Sequence, residues 1–117
     1  MVDPRTVPVY TLNNGLPIPC VGMGTFGSDR VTPEEVAGAV AGGIRAGYRL
    51  FDCAACYGNE AQIGEVFSAA MEEGVVTRGD LFIMSKVWND MHRNVAASCK
   101  KSIADLRCDY LDMLFIH

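Results

Sequence analysis

Apolar residues follow two rhythms along this chain, and the two alternate. In residues 32–47, "TPEEVAGAVAGGIRAG", Val36, Val40 and Ile44 recur at four-residue spacing, and Ala37 and Ala41 widen the stripe into a helical face. Thr32 is placed to cap that helix, Pro33 to take its first position and Glu35 to close a capping box, while Gly47 supplies a stop. Gly38, Gly42 and Gly43 each cost about 1 kcal/mol against alanine in a helix interior, so tertiary packing must hold it. A second helix is expected from a cap at Asn59 to Gly74, with Ile63, Val66, Phe67, Ala70 and Met71 on one face. A third turns Val95, Cys99, Ile103 and Leu106 inward and Lys100 and Lys101 outward.

Shorter apolar runs separate these helices. "VGMGT" (21–25), "YRLFDCA" (48–54), "LFIMSKV" (81–87) and "YLDMLFIH" (110–117) read as strands, the third continuous enough to be buried on both sides. Ahead of them, "VYTLNNGLPIPC" (9–20) reads as a β-hairpin turning at Asn14-Gly15, a pair that accepts the positive φ of a tight turn. Pro17 and Pro19 cannot donate ladder hydrogen bonds, which confines that arm to an edge. The order βαβαβαβ after the hairpin argues for a parallel sheet with right-handed crossovers. Strand ends near positions 24, 52, 86 and 117 recur about every thirty residues, the period of an eight-unit α/β barrel. Residues 1–117 read as one domain: the hairpin at 9–20, then a βαβαβαβ half-barrel at 21–117.

Composition narrows the field without naming a function. Of 117 residues, 50% are apolar and 21% charged, ordinary for a globular domain. A net charge of −4 gives no reason to expect a nucleic-acid or anionic-membrane partner. No stretch approaches the roughly 18 apolar residues of a membrane span, and the N-terminus lacks the apolar core of a signal peptide. Five cysteines without framework spacing point to free thiols in a reducing cytoplasm.

Polar residues end three of the four strands: Asp52, Lys86 and His117. Each alone has an ordinary explanation as a turn residue, a strand-end cation or a terminal residue. Their recurrence at one edge, where parallel α/β folds build their sites, favours a shared site. Tyr57 follows Asp52 by five residues. A phenol, with a pKa of about 10, is a poor acid near neutrality. An ammonium about 4 Å away, at an effective dielectric near 20, stabilises phenolate by roughly 4 kcal/mol, about a thousandfold in acidity before burial opposes it. Lys86 can supply that charge, Asp52 can hold the lysine, and His117 can donate to a substrate oxygen.

Cys53 and Cys56 offer a rival, the C-x-x-C of a thioredoxin-like redox protein. Such a pair normally opens a helix with a lowered thiol pKa, whereas Cys53 lies in the strand reading, and the rival leaves Lys86 and His117 unexplained. Zinc needs four paired ligands, and Cys99 and Cys108 form no second pair, so no metal is expected.

Four blocks, "LNNGLPIPCVGMGTF", "GYRLFDCAACYGNE", "LFIMSKVWND" and "DYLDMLFIH", in order and in register, resemble the N-terminal part of an aldo-keto reductase. The resemblance implies an α/β fold, a (β/α)8 TIM barrel whose bottom is closed by the hairpin, and NADPH-dependent reduction of aldehydes or ketones without a metal. It makes Tyr57 the general acid, Lys86 its partner, Asp52 the lysine's counter-ion and His117 the orienter of the carbonyl. Gly24, Thr25, Phe26 and Asp52 match cofactor-binding positions; Phe26 and Trp88 match aromatic positions of the substrate pocket, shared with Tyr57 and His117. A closed barrel needs roughly twice this length. The chain is therefore expected to be the first part of a longer, monomeric, cytoplasmic reductase, inactive by itself and prone to self-association. The alternative is a non-catalytic half-barrel that serves as a binding module.

Overall fold

Helix α1, Pro33–Ala46, begins where the sequence places it. In the computed structural model, which describes residues 1–117, the Thr32 hydroxyl accepts from the Glu35 amide at 3.2 Å, and the Glu35 carboxylate accepts from the Thr32 amide at 2.7 Å. The helix ends at Gly47, whose φ of +115° suits glycine and whose missing side chain admits the Val2 carbonyl. Val36, Ala37, Val40 and Ile44 are buried, and burying each of the larger ones contributes about 2 kcal/mol.

Helix α2, Glu60–Glu72, buries Ile63, Phe67 and Ala70 as expected, and Gly74 follows it at φ +74°. Its start corrects the sequence reading: Asn59 makes no side-chain cap. Its amide instead donates 2.7 Å across to the Thr25 carbonyl, a tertiary tie that outcompetes local capping. Helix α3, Val95–Leu106, is rotated from the expected face. Ser98, Ser102 and Leu106 are its buried residues, while Val95, Cys99 and Ile103 are only half-buried. The Ser102 hydroxyl is tolerated inside because the buried Glu60 carboxylate accepts from it, as described below. Helix α2 comes unusually close to α3, since a Cβ at Gly64 would sit 1.9 Å from the Asp105 carbonyl oxygen.

The hairpin pairs β1, Val9–Thr11, with β2, Pro17–Pro19, antiparallel, Tyr10 opposite Ile18. Its turn is wider than a two-residue one. The Gly15 amide donates to Leu12, the Leu12 amide donates to Leu16, and positive φ is confined to Gly15 at +85°. That is a three-residue loop with a glycine bulge, which leaves Asn14 in an ordinary conformation.

Four parallel strands follow in the order β3 (Met23–Gly24), β4 (Leu50–Asp52), β5 (Phe82–Val87) and β6 (Met113–Ile116). One core joins α1, β4, α2, β5 and α3 through Val40, Ile44, Phe51, Phe67, Ile83 and Leu106. The expectation that β5 is buried on both sides is corrected. Ile83, Ser85 and Val87 are fully buried, while Met84 and Lys86 on the opposite face stay half-exposed. The pleat puts the first set against the helices and the second on the sheet's inner face, which carries the polar residues discussed next. The outer sides of β3 and β6 are unpaired, and Phe115 and Ile116 are exposed. Arg78 anchors the approach to β6. Its guanidinium donates to the Leu81, Cys108 and Tyr110 carbonyls and to the Asp112 carboxylate. No helix is long and apolar enough to cross a membrane.

Candidate active site

Parallel pairing delivers one polar group per strand to the same edge. Asp52 is the last residue of β4 and sits opposite Met84 on β5; Lys86 lies two residues further along, on the same face. Lys86 Nζ donates to Asp52 Oδ1 at 2.6 Å, to the Cys53 carbonyl at 2.9 Å and to the Tyr57 hydroxyl at 3.1 Å. All three ammonium donors therefore have partners. The Lys86 side chain is 14% exposed and that of Asp52 is 41% exposed. Burial is the largest single influence on Lys86 and opposes its charge. Bonds to Asp52 and Tyr57, with the charges of both, outweigh it and leave the lysine above its ordinary value, hence held as a cation.

Local structure explains how Tyr57 reaches this point. The chain leaves β4 extended at Ala54, makes one 3-10 turn over Ala55–Tyr57 and re-enters helical direction through Gly58 at φ +68°. The Tyr57 ring packs 5.2 Å from that of Phe26 and 6.2 Å from that of His117. His117 follows β6, its amide bonded to the Val87 carbonyl at 3.0 Å, and its imidazole lies edge-on to Trp88 at 5.0 Å. Asp52, Tyr57, Lys86, His117, Phe26 and Trp88 thus meet at one edge. Phe26 is 69% exposed, so it flanks the site rather than packing in the core.

Two residues matched to the cofactor differ from each other. Gly24 is exposed, with no atom within 4 Å of where a Cβ would stand, so a ligand can approach its backbone. Thr25 is buried; its hydroxyl and amide both donate to the Asp52 carbonyl, at 2.9 and 3.2 Å. It fastens the end of β3 to the end of β4 from beneath.

Sequence reasoning missed the support of this site. Asn59 ties the start of α2 to Thr25 and leaves its Oδ1 buried without a partner. Buried Glu60 accepts from the Ser85 and Ser102 hydroxyls, each at 2.8 Å, behind the strand that carries Lys86. Burial pushes the Glu60 carboxyl up, against the pull of those two serines. The available signal was Ser85 itself, on the same face of β5 as Ile83 and Val87, where a lone hydroxyl needs a buried partner.

The two cysteines of the C-x-x-C lie in different surroundings. Cys53 is fully buried, which pushes its thiol up to about 12, while Cys56 is exposed. No group of three or more His, Cys, Asp or Glu side chains converges in a way that could hold a metal ion.

Residues 20–117 match the model of the Aldo/keto reductase family. The chain belongs to that family. Among its curated relatives, the chain is 46% identical over 114 residues to an NAD(P)H-dependent D-xylose reductase of Pachysolen tannophilus, covering 96% of the chain and 34% of that protein. It is 44% identical over 111 residues to an NADPH-dependent aldose reductase of Saccharomyces cerevisiae, covering 93% of the chain and 33% of that protein. A crystal structure of a Bombyx mori aldo-keto reductase in complex with NADP matches all of the chain and 39% of its own, at a TM-score of 0.90 and 38% identity. The aldo/keto reductase chain thus spans about a third of the length of its curated relatives, and its hairpin and four-stranded parallel sheet have the fold of that barrel segment.

Proposed function

We propose that this aldo/keto reductase segment supplies the proton-donating part of an NADPH-dependent enzyme that reduces an aldehyde or ketone to an alcohol. The observation that carries the reading is the Asp52–Lys86–Tyr57 chain, with the ammonium 2.6 Å from a carboxylate and 3.1 Å from a phenol. Tyr57 donates its proton to the substrate oxygen as negative charge develops there. Lys86 stabilises the phenolate left behind, and Asp52 keeps the lysine placed and charged. His117 donates to the same oxygen and orients it, and Phe26 and Trp88 form aromatic walls. Gly24 with its open backbone, Phe26 and the exposed side of Asp52, braced by Thr25, would hold a reduced nicotinamide, which would supply hydride when bound. Most of the rate then comes from positioning and from stabilising charge at the oxygen, with proton transfer worth about a hundred- to ten-thousandfold.

The relatives' names support NADPH and a sugar-like aldehyde. The free thiols support a reducing, cytoplasmic setting, and the closed-barrel enzyme would work as a monomer. The test joins residues 1–117 to the remaining barrel of the Pachysolen D-xylose reductase and follows NADPH absorbance with D-xylose. Tyr57→Phe is expected to lower kcat by at least about a hundredfold with NADPH affinity unchanged. Equal loss of turnover and of NADPH binding removes Tyr57 from the acid role.

A further inference from the structure

Cys56 takes no part in this mechanism, yet it precedes Tyr57 and is exposed beside it. Its Sγ lies 3.6 Å from Nδ1 of His117, within hydrogen-bond reach for sulfur. The other thiols are placed differently. Cys53 and Cys108 are buried, which pushes them up to about 12 and about 11. Cys99 is half-buried on α3, and Cys20 is exposed at the end of the hairpin with no hydrogen-bonded side chain. Cys56 also lines a cavity of about 440 Å³ of mixed character, with Trp88 and Met91 in its wall beside Asp90, Lys101 and Asp105. A nucleophile and a base therefore meet at the edge of a cavity.

We propose that Cys56 and His117 form a nucleophile–base pair that captures α,β-unsaturated aldehydes at the mouth of this site. The thiol proton passes to Nδ1 of His117, and the sulfur pair forms an S–C bond to the β-carbon. The C=C π pair moves to give an enolate, which takes a proton at its α-carbon from the imidazolium. The sum is addition of S–H across the double bond, with no net oxidation or reduction. The alkyl tail enters the cavity beside Trp88 and Met91, and the adduct blocks approach to Tyr57. The choice of aldehyde rests on the carbonyl-reductase reading; the thiol–imidazole pair does not.

Peptide mass spectrometry tests this on the 117-residue chain and on the fusion described above, where pairing of the β6 edge prevents fraying at His117. Near neutral pH, limiting N-ethylmaleimide and, separately, trans-2-hexenal are each expected to label Cys56 at least about tenfold faster than Cys20. His117→Gln is expected to bring Cys56 to within about threefold of Cys20. Equal labelling of Cys20 and Cys56 in the fusion, or an unchanged Cys56 rate in His117→Gln, overturns the pair. Selectivity with maleimide but not with hexenal overturns the aldehyde assignment while leaving the carbonyl-reductase reading to the Tyr57→Phe turnover.

Discussion

Replacing Lys86 with methionine keeps the length of the side chain and removes its charge. At the observed 3.1 Å, ammonium and phenolate attract by about 5 kcal/mol at an effective dielectric of 20. Lys86 is 14% exposed and its partner Asp52 41%, so water screens part of this, and about 2–4 kcal/mol should be realised as charge develops on Tyr57. That corresponds to roughly 30- to 1,000-fold in kcat. The loss should fall on kcat rather than KM, because Lys86 bonds to Asp52, Cys53 and Tyr57 and sits behind the phenol, away from substrate. Asp52 loses its cation but is exposed enough to be rehydrated, so the variant should fold. The assay is steady-state NADPH oxidation by the D-xylose reductase fusion, with far-UV circular dichroism as the check on folding. A folded Lys86→Met enzyme within threefold of the parent kcat would refute the electrostatic role.

Two further expectations concern stability, read from urea unfolding of the purified chain. Gly64→Ala sets a methyl 1.9 Å from the Asp105 carbonyl, so α2 and α3 must part at a cost of about 3 kcal/mol; a loss below about 0.5 kcal/mol would mean the helices adjust freely. Glu60→Gln probes the buried carboxyl, whose folded pKa is raised above its ordinary 4.5. The folded state then holds the proton more tightly than the unfolded one, so this group favours folding at low pH and disfavours it as pH rises through the folded value. The variant should match the parent below about pH 4, gain on it as pH rises through the folded value and keep a constant lead above that; a pH-independent difference would contradict the assignment.

Much of the architecture was legible because it is written in local patterns. The Thr32–Glu35 box, the stop at Gly47 and the alternation of helical and strand periods depend on neighbours in sequence, and each was found where expected. Asp52, Lys86 and His117 were legible for a different reason: a polar residue at the end of an apolar strand is conspicuous, and strand spacing brings the three to one edge. What stayed hidden depends on partners far along the chain. Asn59 looks like a helix cap until Thr25, thirty-four positions away, offers a carbonyl. Ser102 looks like surface, and the apolar neighbours of α3 win the sequence reading, because the Glu60 carboxylate that makes this serine welcome inside lies on another helix. The contact between Cys56 and His117 spans sixty-one positions and carries no local mark.

The parity of β5 has a consequence for how such a chain can change. Neighbouring residues on a strand face opposite ways, so deleting or inserting one residue within Phe82–Val87 does not weaken the site by degrees. It would present Ser85 or Val87 to Tyr57 and turn the ammonium to the helix side of the sheet, where Ser85 now meets Glu60. Loops on either side carry no such even-or-odd constraint. The history of sequences like this one should therefore show length variation in the connections and fixed length in the strands, with the chemistry preserved by counting as much as by residue identity.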